Sequence, residues 1–349
     1  MTYTHLDELS AEAYRAWFDG NRPHLQQRSP FHLPAWLDVV KQGLGFDVRI
    51  IGIYQGRTLV GAVPGFVTRV GPASLFGSPL KGSMTSYLGP VSFEMPESTD
   101  HELELMAACS AFARRRWRVI YTRFTLRDAP PDHKPEIGPN WLVQRAGSYR
   151  LNLGPGKEQL WRDLGQRARR SVRKAERLNM TTMPLTDARL FYTLLQDTLT
   201  RHGSASFHSQ RFFNVMLETL IPHDLIWAWG TTYEGRTIAA GLFLHDEREA
   251  HHISGGSMHE FGSLPTSYLL YWNAIAHSAE GGLSVFNSDA SRVTSIDQFK
   301  ETFGLGLQKR LVLTWAPAYI HAAQKAYISS YSRLRRARSV LLRRAAEPI

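Results

Sequence analysis

A run of cations with almost no matching acid is the strongest chemical feature of this sequence. Between Trp161 and Leu178, Arg167, Arg169, Arg170, Arg173, Lys174 and Arg177 share a face on which Glu176 is the one acid. On the other side Trp161, Leu164, Ala168, Val172, Ala175 and Leu178 recur at helical spacing. A solvated helix usually mixes signs to gain pairs four residues apart. Six cations against one acid instead suit phosphates, whether of tRNA, a nucleotide or CoA, with a generic basic surface as the plain alternative. A second basic stretch covers 325–344, where Lys325, Arg333, Arg335, Arg336, Arg338, Arg343 and Arg344 meet no acid. Its apolar side chains, Tyr327, Tyr331, Leu334 and Leu341, suit anionic lipid, RNA or the protein's own surface.

Nucleophiles are scarce. There is no G-x-S-x-G elbow, and the single cysteine, Cys109, lies in an apolar helical stretch where a small core residue is expected. Acyl transfer to an amine needs no covalent nucleophile, only an oriented donor, a deprotonated amine and a stabilised oxyanion. Asp289 offers a general base or a substrate-amine contact, and equally a turn cap. Of 14 histidines, His251 and His252 are adjacent, and on a strand they point to opposite faces. No spacing supports a zinc site, so neither a metal nor a tightly bound cofactor is expected.

Composition frames this chemistry. The 349 residues are 43% hydrophobic and 21% charged, which excludes a disordered chain. One cysteine excludes a disulfide framework, and no apolar run nears the roughly 20 residues of a membrane span. Met1 to Leu9 carries Asp7 and Glu8 and is not a signal peptide, so a cytoplasmic location is expected. The net charge of +10 favours polyanionic partners without choosing one.

The elements that must position these groups come in two copies. Tyr54-Gln55-Gly56-Arg57-Thr58-Leu59-Val60-Gly61 recurs as Tyr233-Glu234-Gly235-Arg236-Thr237-Ile238-Ala239-Ala240. Each copy joins two strand-like runs through a glycine turn. Each is preceded by helices, Pro34 to Lys41 in one case and Glu158 to Leu178, Asp187 to Arg201 and Gln210 to Leu220 in the other. Each is followed by a strand run, a helix (Glu102 to Arg116; Ser267 to Ala279) and a last strand (Val119 to Thr125; Leu283 to Phe286). The pattern predicts an α+β fold of two tandem halves with mixed sheets. The expected divisions are 1–127, a linker at 128–147 around Ala129-Pro130-Pro131, 148–312, and a basic helical tail at 313–349.

Three segments carry a family resemblance: Trp161 to Met180, with its basic run Arg173-Lys174-Ala175-Glu176; the helix Tyr268 to Gly281; and Phe286 to Gly304, closing in Phe299-Lys300-Glu301-Thr302-Phe303-Gly304. Together with the two hairpins they resemble the Fem-type peptidyltransferases and the related CelD/BioF-like acyltransferases of the GNAT superfamily. The opening Phe286-Asn287-Ser288-Asp289 departs from the family's F-D-F-G phrase. The resemblance implies two GNAT-like halves and transfer of an acyl or aminoacyl group to an amine. It implies an oxyanion-stabilising role for Lys300 and an acceptor-phosphate contact for Lys41, five residues after Trp36. Arg201 and Arg211 flank the loop His202 to Gln210 and are candidates for the same cleft. Phe299 and Phe303 are expected to anchor the Lys300 helix. The donor is aminoacyl-tRNA or acyl-CoA. The stretch Met258 to Ser267, with one glycine, is a poor pyrophosphate cradle and favours the former. The acceptor would be phosphorylated, a saccharide or a natural product. The alternative from another class is a non-catalytic RNA- or membrane-binding protein on the same scaffold.

Overall fold

The computed structural model describes residues 3–127, 137–204, 206–291 and 293–322. The first half runs β1 (His5–Leu9), α1 (Ala11–Asn21), α2 (Pro34–Leu44), β2 (Asp47–Gln55), β3 (Thr58–Val70), β4 (Ala73–Ser78), β5 (Val91–Ser92), α3 (Thr99–Trp117) and β6 (Tyr121–Leu126). The second runs β7 (Trp141–Asn152), α4 (Lys157–Asp163), α5 (Gln166–Arg177), β8 (Thr181–Pro184), α6 (Ala188–Arg201), α7 (Gln210–Leu220) and β9 (Ile226–Tyr233). It continues with β10 (Arg236–His245), β11 (Glu249–Ser257), α8 (Thr266–Glu280), β12 (Val285–Asp289), α9 (Thr294–Glu301) and β13 (Gly306–Trp315).

The repeat is real in three dimensions. β2, β3 and β4 form an antiparallel meander, and β4 then pairs with β6 in parallel. β9, β10 and β11 repeat the meander, and β11 pairs with β12 in parallel. The two echoing turns occupy equivalent hairpins. One closes at Gln55↔Thr58 and the other at Tyr233↔Arg236, and positive φ at Gly56, Glu234 and Gly235 makes these tight loops possible.

Instead of two separate sheets, the strands form one, in the order β1-β2-β3-β4-β6-β13-β7-β12-β11-β10-β9-β8. β13 inserts between the halves, antiparallel to β6 on one side and to β7 on the other. β7 begins at Trp141, inside the stretch expected as linker, and β13 runs on to Trp315, past the expected end of the second half. The expected basic tail from 325 onward lies outside the described residues.

Local chemistry explains the helix ends. Asp187 accepts from the amides of Arg189 and Leu190 to start α6, and Ser209 accepts from Phe212 to start α7. The expected single helix Glu158 to Leu178 is broken into α4 and α5 at Gly165. Its amide donates to the Thr302 carbonyl at 2.8 Å, and a Cβ there would sit 3.0 Å from the same oxygen. Ala168, Val172 and Ala175 of α5 are buried in a core shared with α8. A second core crosses the halves, joining Trp36, Leu37 and Val40 of α2 to Phe191, Leu194, Phe212, Phe213 and Met216 of α6 and α7. A third packs α3, including buried Cys109, under β6 and β13.

Gly256 of β11 lies hard against α6. A Cβ would fall 2.4 Å from the Leu194 carbonyl carbon and 2.4 Å from the Leu195 nitrogen, and backbone cannot swing aside. Gly256→Ala is therefore expected to lower stability by about 2–3 kcal/mol. Urea denaturation checks this, and a change below about 0.5 kcal/mol would mean that α6 can move away freely.

Candidate active site

The parallel pair β11–β12 is hydrogen-bonded only from Glu249↔Val285 to His252↔Ser288. Beyond that β11 runs on to Ser257 while β12 stops at Asp289, so the strands part. The first half opens in the same way after Ser78↔Phe124. There the chain turns back on itself: a Cβ on Gly77 would meet the Leu80 Cα at 2.5 Å, and Leu80, Tyr87 and Leu88 are buried. The first opening is thus filled by its own loop, and the second is left open.

Two cavities flank the open one. A slot of about 270 Å³ has apolar walls from Phe243, Leu270, Tyr271, Ile296 and Phe299, and carries Arg201 among its polar lining. A cleft of about 490 Å³ lies between the halves. It is lined by Lys81, Ser86 and Arg123 from the first half and by His208, Asp289 and Arg310 from the second, among others.

Asp289 is the one carboxylate lining the cleft among the described residues. The Ser86 hydroxyl donates to its Oδ2 at 2.5 Å, and Arg310 Nη1 lies 3.6 Å from Oδ1. His251 Nε2 is 3.0 Å from Ser86 Oγ and 3.7 Å from Asp289 Oδ1. His251 is held edge-on against Phe31, and burial pushes its pKa down to about 4 against the opposing pull of Asp289, so it is neutral at pH 7. Its neighbour His252 faces the other way, against Phe243 and Tyr271, and burial takes it to about 3. Behind the cleft Glu249 pairs with Arg127 and accepts from Asn287 at 3.1 Å. Burial opposes its charge, yet Arg127 and His251 hold it below the ordinary carboxylate range. Arg123 donates to the Pro79 carbonyl at 2.7 Å, and His208 to the Gly82 carbonyl at 3.0 Å. No group of three His, Cys, Asp or Glu able to hold a metal occurs among the described residues.

The fold that carries this site has known parallels. Residues 162–300 match the family model described as an acetyltransferase (GNAT) domain. The structure resembles that of FemX, with a TM-score of 0.66 and 11% identity over 88% of this chain and 97% of that one. It also resembles a tandem GNAT protein from the clavulanic acid biosynthesis pathway, with a TM-score of 0.55 and 12% identity over 89% and 98% of the two chains. A third likeness is to the C-terminal domain of a putative lysylphosphatidylglycerol synthetase from Agrobacterium fabrum, with a TM-score of 0.53 and 11% identity over 90% and 95%. Residues 162–300 therefore carry a GNAT acetyltransferase domain. The chain as a whole has a double, Fem-like GNAT fold. At these identities the solved structures speak for the fold alone. No curated protein matches the chain.

Against this GNAT frame the residues singled out in the sequence separate. Asp289 faces the cleft. Lys300 does not: it is 3% exposed, lines neither cavity, and donates to the Asp289 backbone carbonyl and, at 3.0 Å, to Asp297 Oδ1. Its ammonium also lies 5.2 Å from the centre of the Tyr149 ring. α9 turns the residue inward beneath β12, away from the cleft in which an oxyanion-stabilising ammonium was expected. Phe299 packs with Tyr268, Tyr271 and Phe303 and walls the slot. Arg201 reaches Ser257 Oγ at 3.1 Å at the same slot, whereas Arg211 and Lys41 are exposed and line neither cavity. On α5, Arg167, Arg170, Arg173 and Lys174 are exposed and Arg169 partly so. Arg169 donates to the Arg162 carbonyl at 2.9 Å, and Arg173 lies over the Trp161 ring. The described salt bridges include none of these five.

Sequence reasoning missed Ser86, Arg123 and Arg310, and weighed His251 only as a metal ligand. Ser86 sits in a loop without a motif, and the arginine directly before the apolar run Leu311 to Leu313 was the one available cue.

The buried setting of Lys300 has a measurable consequence. Lys300→Met leaves the Asp289 carbonyl and the Asp297 carboxylate without their shared donor. Stability is expected to fall by about 3 kcal/mol, as when one partner of a buried pair is removed. Equilibrium denaturation reads this directly, and a loss below about 0.5 kcal/mol would put the ammonium back at the surface.

Proposed function

We propose that the chain transfers an acyl or aminoacyl group from an activated donor to an amine of an anionic acceptor, with Asp289 as general base and without a covalent enzyme intermediate. The observation that carries this is a lone lining carboxylate at the open end of the β11–β12 pair, in a cleft otherwise bordered by Lys81, Arg123 and Arg310. The cations suit a phosphate or carboxylate on the acceptor, and the carboxylate suits its amine. The amine nitrogen attacks the donor carbonyl, the new C–N bond forms, and the bond to the leaving oxygen or sulfur breaks. The proton lost by the amine goes to Asp289 and from there to the leaving group. Positive charge from Arg310 and Arg123 would stabilise the oxyanion. Lys300, engaged with the end of β12, would act by holding Asp289 in place.

For the donor, aminoacyl-tRNA stands slightly ahead of acyl-CoA. The exposed cations of α5 suit an RNA backbone. The approach to α8 has one glycine and carries an acid, Glu260, paired with Arg236 at 2.8 Å, which suits a pyrophosphate poorly. A second reading, an acyl-CoA donor in the slot beside β11, is favoured by the slot's apolar walls.

Mass spectrometry of metabolites from cells with and without the chain is expected to reveal an acylated amine, lost in Asp289→Asn together with 10²–10⁴-fold of turnover. Binding to aminoacylated tRNA should weaken when Arg169, Arg170 and Arg173 are changed to Glu, and the salt dependence should flatten by about one unit per phosphate contact removed. Calorimetry with acetyl-CoA should show a Kd no tighter than about 1 mM. A micromolar value would make acyl-CoA the donor.

A further inference from the structure

The general base of the second half is tied to a hydroxyl of the first. Ser86 comes from the loop that fills the first half's opening, yet its side chain makes no use of that loop. Its Oγ lies 2.5 Å from Asp289 Oδ2 and 3.0 Å from His251 Nε2. A hydroxyl has one proton to give. If that proton goes to the carboxylate, the ring nitrogen facing Ser86 must carry a hydrogen and donate it to Oγ. The chain His251 Nε2–H to Ser86 Oγ–H to Asp289 Oδ2 then runs in one direction. It leaves Oδ1 as the oxygen available to a substrate amine, beside Arg310.

We infer that Ser86 and His251 are positioning residues: together they hold Asp289 with Oδ2 engaged and Oδ1 left beside Arg310, so that the base is complete only when both halves are in place. This deepens the reading of Asp289 as base and rests on it. His251 is suited to its part because it is buried at 1% exposure and fixed by Phe31. Kept neutral, it orders Ser86 without adding a full charge beside the carboxylate. Other charged or titratable groups surround Asp289 and His251 and must stay constant in any test. They are Arg310 on β13, Lys300 and Asp297 on α9, His252 and Glu249 on β11, Arg123 on β6, Arg127 just after β6, and Lys81 and His208 across the cleft.

The sign follows from hydrogen bonding. A donor to the charged form lowers a carboxyl's pKa, and removing it lets that pKa rise. The titration of Asp289 in the substrate-free, full-length protein can be followed by carboxyl ¹³C NMR, with the signal assigned through Asp289→Asn. Ser86→Ala is expected to raise the midpoint by about one pH unit. Ser86→Thr, which keeps the hydroxyl, should restore it. His251→Leu should raise it by a smaller amount, and His251→Gln, which keeps a donor, should not. An unchanged midpoint in Ser86→Ala overturns the inference. So does a rise that Ser86→Thr fails to reverse, because this would come from a disturbed loop. The outcomes separate from those for the base itself. A shifted midpoint with a fully active Asp289→Asn would sink the base and leave the positioning intact. An inactive Asp289→Asn with no shift would do the reverse.

Discussion

The rest of the structure depends on β13 hydrogen-bonding to both halves at once. From Leu311 to Trp315 it pairs with β6, and over its whole length from Gly306 it pairs with β7. Backbone groups buried at a seam must find partners, and a strand placed there satisfies both flanking edges with one segment. Arg310 is the residue at which β13, still paired with β7, parts from β6. The cleft opens beside that point, so the joint that unites the halves also sets the arginine next to Asp289.

The halves share a plan and differ in one local respect. Both carry a meander and a parallel pair that splays. In the first, the chain after Ser78 folds back so closely that Gly77 has no room for a side chain, and buried Leu80, Tyr87 and Leu88 occupy the space. In the second, the corresponding space stays open and is walled by rings. A duplicated fold has thereby become asymmetric. One opening holds a loop whose Ser86 side chain reaches the other half, and the other is available for a ligand.

Burial explains why the charges near the cleft are arranged in pairs. Arg28 with Asp246, and Arg127 with Glu249, lie at the base of the seam with little exposure, and a lone charge there would carry a large desolvation cost. Asp289 is different: its side chain is half-exposed, held on one oxygen by Ser86 and flanked at a longer distance by Arg310. A carboxylate that is positioned yet still wet on one side can exchange a proton with a bound molecule, which its fully buried neighbours cannot do.

Much of the fold was legible in the residues alone. The echo of Tyr54 to Gly61 in Tyr233 to Ala240 located both hairpins, because glycine turns between apolar runs are local chemistry. The apolar stripe of α5 located its buried face, and Asp289 stood out as a candidate base, amine contact or turn cap. What the sequence could not carry was everything that depends on distant segments meeting. The break at Gly165 is set by Thr302, far along the chain. The burial of Lys300 follows from the packing of α9 beneath β12, which the spacing of Phe299 and Phe303 does not show. The link from Ser86 to His251 and Asp289 joins a loop of one half to two strands of the other. Local periodicity says which face of an element is apolar, but only the register of β13 between β6 and β7 decides which polar side chains that packing brings together.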